Sequence, residues 1–399
     1  MKKTTKQNIK EWILSVQHLM SAMGATTLVP LLVGINPSIA ILTAGIGTLI
    51  FHLCTKGKVP VFLGSSFAFI TPMITISSLY NDYAYVQGGI IIVGLIYMLM
   101  SFIVYKIGVD KINKILPPHI VGAMIIVIGL SLVPSAITNI QTNTFVACVT
   151  LGISLLITFF GRGFIKQLGI LIGVICGYLL SLYLGIVDTT MIQNANLLFI
   201  PTLTLPKFSL EAIMIIAPLS LCTLCEHISD ITTNGTVVGK NFIKDPGLHR
   251  TMLGDGLATL VAGFMGSCVN TTYSENTSVL SLTKNYNPKL LRRTAVIAIV
   301  LSFIGVFGAT LQSVPSSVIG GISLQLYCMI AYIGFKNIKD NKSYKSIKNL
   351  IVIAIILIVG LGGFTITIGG IAISGLALSI IIGVILNLSL IHISEPTRH

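Results

Sequence analysis

Charged side chains are scarce in this sequence: Asp, Glu, Lys and Arg make up 9% of 399 residues, against roughly 25% in an ordinary soluble domain. So few charges cannot cover the surface of a soluble enzyme, and a disordered chain, which is richer in charge still, is excluded with it. The seven cysteines (Cys54, Cys148, Cys176, Cys222, Cys225, Cys268 and Cys328) lie in or at the ends of apolar stretches, which excludes a disulfide-stapled secreted fold. Cys222 and Cys225 form a C-x-x-C without a second pair or a histidine cluster at metal-ligand spacing, so they read as small packing residues of a helix and no metal is expected. A membrane-embedded enzyme would need a nucleophile or metal set such as a helical H-E-x-x-H, and none occurs. Nor is there a basic patch with interleaved aromatics of the kind that binds nucleic acid.

Apolar length is what the sequence has in abundance, with 54% of residues hydrophobic. Apolar segments run over about 12–34, 37–54, 60–79, 86–108, 117–135, 145–161, 166–186, 210–233, 252–267, 268–284, 290–312, 315–334, 346–363 and 371–390, fourteen in all. At about 20 residues per spanning helix, fourteen helices take roughly 280 residues and leave about 120 for connections and termini, too few for a separate aqueous domain. Strands of a transmembrane β-barrel alternate apolar and polar residues, whereas 351–363 is apolar on all sides. The chain therefore reads as an all-α polytopic membrane protein. Its Lys-rich start and first apolar run resemble a signal peptide, but the run is about 20 residues long and thirteen more segments follow, so it reads as a first span.

The net charge of +13 follows the same count. With the N-terminus cytoplasmic, the loops on that side carry Lys2, Lys3, Lys6 and Lys10, then Lys56 and Lys58, then Lys106, Lys111 and Lys114, then Arg162 and Lys166. The series goes on through Lys240, Lys244 and Arg250, then Lys284, Lys289, Arg292 and Arg293, then Lys336, Lys339, Lys342, Lys345 and Lys348, and ends at Arg398. These are 24 of the 25 basic residues, Lys207 being the exception. Cytoplasmic loops are enriched in Lys and Arg, and a miscounted segment would invert the pattern downstream. The positive charge is thus a topology signal for a multi-pass protein of the cell inner (cytoplasmic) membrane, surrounded by lipid and with no nucleic-acid partner.

Two segments are poor helices. Residues 59–66 and 268–274 are β-branched, polar or Gly/Pro-containing, and each precedes a short apolar half-helix beginning near Phe67 or Glu275. Extended backbone at membrane depth is tolerated only where protein or a cavity satisfies its polar groups, so both should line the interior. Their positions correspond. Gln17-His18 is echoed by Glu226-His227 at an offset of 209, Ser66-Phe67 by Ser274-Glu275 at 208, and the stretch Pro117 to Gly122 by Pro315 to Gly320 at about 198. Two repeats of seven spans follow, and an odd number forces the second to be inverted. Inverted repeats with paired discontinuous segments point to a secondary transporter whose substrate binds at the midplane.

Among 37 charged residues, the acids inside apolar segments stand out: Glu226, Asp230, Asp255 and Glu275. A carboxylate at the bilayer centre costs roughly 2.5 kcal/mol or more, so each should face the protein interior. Glu226 and Asp230 are four apart on one helical face. Glu275 opens a half-helix, whose free N–H groups favour an acid. Asp255, within Gly254-Asp255-Gly256, reads as an end-of-helix or packing residue, and His18 and His227 as hydrogen-bonded structural histidines. A planar heterocycle with two N–H donors and two carbonyl acceptors would be satisfied by two carboxylates together with backbone N–H groups at the two half-helix starts. Desolvation favours the neutral form of a carboxylic acid, so substrate binder and proton carrier can be neighbours.

Several strings then carry a resemblance. Gln17-His18-Leu19, Gly24-Ala25-Thr26, Lys56-Gly57-Lys58-Val59-Pro60, Ser65-Ser66-Phe67-Ala68-Phe69, Glu226-His227, Asp245-Pro246-Gly247 and Asn270-Thr271-Thr272-Tyr273-Ser274-Glu275-Asn276 resemble the nucleobase/ascorbate transporter family of proton symporters, in particular its bacterial uracil permeases, from about residue 12 to about 388. The resemblance implies fourteen spans in two inverted seven-span repeats, with spans 3 and 10 part extended strand and part half-helix. It implies a cytoplasmic N-terminus at 1–11, a core domain of spans 1–4 (12–114) and 8–11 (210–312), and a gate domain of spans 5–7 (115–209) and 12–14 (313–388). Carried over residue by residue, Glu226 and Glu275 would hydrogen-bond uracil, the backbone N–H groups of Phe67 and Ser274 would meet its carbonyls, and Ala25, Tyr273 and Tyr327 would line the pocket. Glu226 and Asp230 would couple the proton, with His18, His227, Ser66 and Asn276 in support. Purine-transporting relatives typically carry Gln where Glu275 stands, so a pyrimidine is favoured.

Two departures bear on the site. Ser274 stands where relatives often have Gly, and Asp230 where some have a second His, so the proton route is expected to run from carboxylate to carboxylate. The expected activity is proton-coupled uracil import with the proton as coupling ion and no other cofactor; the rivals are symport of xanthine or thymine, and a channel. Dimers occur in the family, which makes a homodimer an expectation. The tail from Ser389 to His399 resembles translated sequencing adaptor and is expected to be non-native.

Overall fold

The computed structural model describes residues 5–108, 117–368 and 371–394. Lys2, Lys3, Lys111, Lys114, Arg398 and the last five residues of the suspected tail lie outside the described residues, and so does the Cys222 side chain.

The chain is mainly helical. Helices α1 (Thr5–Val33) and α2 (Pro37–Cys54) meet at a turn where Asn36 caps α2, its side chain accepting from the Ser38 N–H at 2.9 Å. A short strand β1 (Leu63–Ser65) and one 3-10 turn (Phe67–Phe69) lead into α3 (Ile70–Tyr80). Asn81 turns left-handed to end α3, and Asp82 caps α4 (Tyr83–Ile107). Next come α5 (Pro118–Ser131), α6 (Val133–Gln141), α7 (Thr144–Phe160), α8 (Phe164–Gln167) and α9 (Gly169–Tyr183). The second half holds α10 (Leu210–Ile216), α11 (Leu219–Val238), α12 (Leu248–Phe264), strand β2 (Asn270–Thr272) and α13 (Ser274–Thr283). It continues with α14 (Lys289–Ser302), α15 (Gly305–Gln312), α16 (Ser316–Asp340), α17 (Ile347–Leu361), strands β3 (Thr365–Ile368) and β4 (Ile371–Ser374), and α18 (Gly375–Ser394). Among the described residues, six helical stretches are long and apolar enough to cross a membrane, and five shorter apolar helices accompany them.

Where the helices depart from the apolar segments, local chemistry explains it. The segment at 117–135 breaks after Leu132 because Pro134 sits in the first turn of a new helix, and the segment at 210–233 breaks at Ala217-Pro218. The expected start of a span at 371 is a strand instead: Thr365–Ile368 pairs antiparallel with Ile371–Ser374, as its β-branched alternation favours. Helix α18 runs on through six residues of the suspected tail, to Ser394.

Packing falls into two groups. In one, α12 lies along α4 and α2, and α14 along α2 and α1. In the other, α16 packs on α5, α6 and α7, α9 on α7, and α17 on α5 and α18. Bare backbone permits the closest approaches: a Cβ on Gly94 of α4 would lie 2.9 Å from the Gly256 carbonyl oxygen of α12, and one on Gly129 of α5 would lie 2.7 Å from that of Tyr327.

The loops also sort by end. At one end the 54–58 loop meets the 245–250 loop, where Lys58 pairs with Asp245 at 2.5 Å and Arg250 donates to the Cys54 carbonyl at 3.3 Å. Arg293 pairs with Glu11 at 2.7 Å. Elsewhere, the connector 196–207 binds the 82–87 and 303–305 stretches through the Phe199 N–H to the Phe303 carbonyl at 2.8 Å and the Lys207 N–H to that of Ala84 at 2.9 Å. Lys207, the single basic residue outside the charge pattern, pairs there with Asp82 at 2.9 Å, and its ammonium holds that carboxyl below the usual range.

Candidate functional site

The two segments that cannot be helical pair with each other. Strands β1 and β2 run antiparallel with Leu63 opposite Thr272, Gly64 opposite Thr271 and Ser65 opposite Asn270. The ladder is extended by the Tyr273 N–H to the Phe62 carbonyl at 3.1 Å and the Ser66 N–H to the Val269 carbonyl at 2.8 Å. Backbone groups that lipid could not satisfy thus satisfy each other. Side chains tie the ribbon to its neighbours: Thr48 of α2 accepts from the Leu63 N–H at 2.9 Å, and Asn270 donates to the Thr43 carbonyl at 3.1 Å.

The ribbon also orients Tyr273. Its ring covers Gly64, where a Cβ would come within 2.4 Å of ring carbons, and its hydroxyl donates to the Ser65 carbonyl at 2.9 Å. Gly64→Val should therefore expel the ring and lower stability by about 1–3 kcal/mol, the usual cost of overpacking. Thermal unfolding of the purified variant checks this; an unchanged midpoint would refute the packing role.

A half-helix leaves each strand. The turn at Phe67–Phe69 follows β1, and α13 begins at Ser274, directly after β2, with Glu275 in its first turn. The strands are antiparallel, so the two half-helices leave the ribbon at opposite ends. Free N–H groups at those starts favour acceptors.

Facing this ribbon is α11. Glu226 and Asp230 are both half-buried, as is Glu275, and the three carboxyl groups lie within electrostatic reach of one another. Asp230 accepts from the Thr272 hydroxyl at 2.9 Å, which ties α11 to β2. His227 points away from them into α12, where it is fully buried between Asp255 (Nδ1 to carboxylate, 2.7 Å) and the Thr251 hydroxyl (Nε2, 2.9 Å). Asp255 lies in the middle of α12, which corrects the end-of-helix alternative of the sequence reading and leaves the packing one; Gly254 and Gly256 on either side of it are points of close packing against Phe51 and Gly94. His18 of α1 receives the Asn276 amide at its backbone carbonyl at 2.9 Å, fixing the half-helix to the first helix.

Among the other expected site residues, Ala25 and Tyr273 belong to one buried apolar cluster and Tyr327 to a second, with Phe67 packed against both. Ser66 is buried, whereas Ser274 is exposed. Thr272, Thr251 and Gln325 were not singled out from sequence, although Thr272 sits inside one of the strings that carry the resemblance. A cavity of about 620 Å³ opens beside Ser274 and Glu275, between α1, α13 and α16, and extends to Lys166. Among the described residues no group of three or more His, Cys, Asp or Glu could hold a metal ion.

The family model described as "Permease family" matches residues 9–369. The sequence is 40% identical over 397 residues to the uracil permease of Escherichia coli (strain K12), covering 96% of this chain and 92% of that protein. It is 40% identical over 402 residues to the uracil permease of Bacillus subtilis (strain 168), covering 95% and 92%. The solved transmembrane domain of a cyanobacterium bicarbonate transporter, BicA, matches with a TM-score of 0.66 at 14% identity, over 97% of this chain and 99% of that one, a likeness of fold.

Proposed function

The chain belongs to the permease family of nucleobase/ascorbate transporters, and from that premise we propose that it is a uracil:proton symporter importing uracil across the cytoplasmic membrane by alternating access. Membership makes it a multi-pass membrane transporter and not an enzyme. The observation that carries the reading is the convergence of three half-buried carboxyl groups on a two-stranded ribbon from which two half-helices depart. Uracil presents two N–H donors and two carbonyl acceptors on a flat ring. Glu226 and Glu275 take the N–H groups, the backbone N–H groups of Phe67 and Ser274 take the carbonyls, and Ala25, Tyr273 and Tyr327 enclose the ring. Glu226 and Asp230 carry the proton, with the Thr272 hydroxyl holding Asp230 in place.

The architecture proposed is fourteen spans in two inverted seven-span repeats, with the N-terminus cytoplasmic. Antiparallel pairing of β1 with β2 is what inverted third and tenth spans require, and the meeting of the basic 54–58 and 245–250 loops at one end supports the parity of the count. The two packing groups support a division into a core domain (12–114 and 210–312) and a gate domain (115–209 and 313–388), which rock about the site.

Sealed vesicles holding the protein should concentrate labelled uracil when the outside is acid, lose the gradient of label on addition of a protonophore, and lose uptake to excess unlabelled uracil but not to xanthine. Proton influx on uracil addition should be several-fold weaker in Asp230→Asn than in wild type. Uptake indifferent to the proton gradient would overturn symport, and xanthine competing as well as uracil would overturn the substrate.

A further inference from the structure

Asn234 lies about two turns beyond Glu226 on α11, fully buried, and has no place among the substrate contacts described above. Its Nδ2 donates to the Pro60 carbonyl at 3.1 Å and to the Thr277 hydroxyl at 3.0 Å. Pro60 stands in the stretch that leads into β1, and Thr277 in α13, two residues past Glu275. One carboxamide therefore joins the helix that carries Glu226 and Asp230, the entry to the first strand, and the half-helix that carries Glu275. A carbonyl oxygen can only accept, so the Pro60 contact fixes which end of the carboxamide is the NH2 group, and its two hydrogens serve these two acceptors.

The other ties in this region do not duplicate it. His227 fastens α11 to α12, Asp230 fastens it to β2, and Asn276 fastens α13 to α1. Among the described residues, the bond from Asn234 to Thr277 is the only side-chain hydrogen bond between α11 and α13. The spacing of those two helices sets the spacing of Glu226 from Glu275, the two acids placed on one ring in the uracil reading. The scaffold itself does not demand this bond. At the offset of 209 that matches Gln17-His18 with Glu226-His227, the residue corresponding to Asn234 is Ala25, whose methyl group cannot make it. Full burial also leaves Asn234 no surface on which to touch a ligand, so any effect on binding has to pass through Thr277 and Pro60.

We propose that Asn234 is a positioning residue of the transport site, which holds Glu275 at a fixed distance from Glu226 through Thr277 and so sets how closely the site discriminates between uracil and a substituted ring. The proposal rests on the uracil reading of the carboxylate site, and the experiment separates the two. Purified full-length protein is titrated with labelled uracil, with thymine as competitor because its added methyl group probes the fit, and the unfolding midpoint of each variant is recorded. Asn234→Ala and Thr277→Val should each weaken uracil binding about fivefold or more, the equivalent of one hydrogen bond. Each should also raise the affinity for thymine relative to uracil about threefold or more, since a slackened site rejects a methyl group less well. Thr277→Ser keeps the hydroxyl and should restore both values. The double variant should bind no more weakly than Asn234→Ala alone, because both changes break the same tie. A merely structural role would lower the midpoint and leave the thymine-to-uracil ratio where it is, because the molecules still folded would discriminate as before. That result overturns the proposal, and so does wild-type affinity in Thr277→Val, which decides the matter even if Asn234→Ala does not fold; both leave the uracil reading intact. Wild-type protein that binds no uracil overturns the two together.

Discussion

Exchanging Glu226 or Glu275 for glutamine should abolish concentrative uracil uptake in vesicles while the protein still inserts and folds. The substitution keeps size and removes charge. A hydrogen bond to a charged group contributes about 1.5–3 kcal/mol, so its loss alone is worth roughly 10- to 150-fold in affinity. The amide can also turn its NH2 group toward a ring N–H, setting donor against donor. Both residues are half-buried, which limits rescue by water. The two variants should differ in a second measurement. Glu226 stands one helical turn from Asp230 on α11, so Glu226→Gln should lose proton influx as well as uracil binding. Glu275→Gln, at the start of α13, should lose mainly binding. Wild-type transport by both variants would falsify the assignment of these carboxylates to the substrate.

The carboxylates were legible in the sequence because so little else is charged there. An acid within an apolar run has few bland explanations, and helical periodicity set Glu226 and Asp230 on one face. The two non-helical stretches were legible for a similar reason, since Asn270-Thr271-Thr272 and Leu63-Gly64-Ser65 are poor helix formers where a span should be plainly helical. Their mutual pairing was not, because hydropathy and propensity describe one segment at a time. The same limit hid the partners. Asp230 finds its donor 42 positions away on β2, and Gln325 finds Thr158 at a separation of 167. Of the two alternatives for Asp255, a helix end or a packing residue, the first fails for a specific reason. Flanking glycines suggest a helix end in water, but in apolar surroundings a helix keeps its hydrogen bonds and spends glycine on close packing, as Gly256 does against Gly94.

That buried pair carries the largest expected effect on stability. His227 and Asp255 are each fully buried, and the imidazole uses both nitrogens, one on Asp255 and one on Thr251. Removing one partner of a buried ionic pair costs about 3–5 kcal/mol because the other is left uncompensated; if the pair is neutral, the orphaned N–H still costs about 1–3 kcal/mol. Asp255→Ala should therefore lower the unfolding midpoint of the detergent-solubilised protein more than Asp255→Asn, which keeps an acceptor for Nδ1. Thr251→Val orphans Nε2 in its turn and should cost about 1–3 kcal/mol, less than the loss of the Asp255 carboxylate. The order matters for transport as well. His227 is the neighbour of Glu226, and its attachment to α12 sets how α11 is turned toward the ribbon. Asp255→Ala should thus weaken uracil binding without touching the ligand, and the weakening should track the loss of stability across the three variants. If binding fell in Asp255→Asn while its unfolding midpoint stayed at the wild-type value, Asp255 would be acting on the substrate or the proton directly, and the purely structural account of the pair would fail.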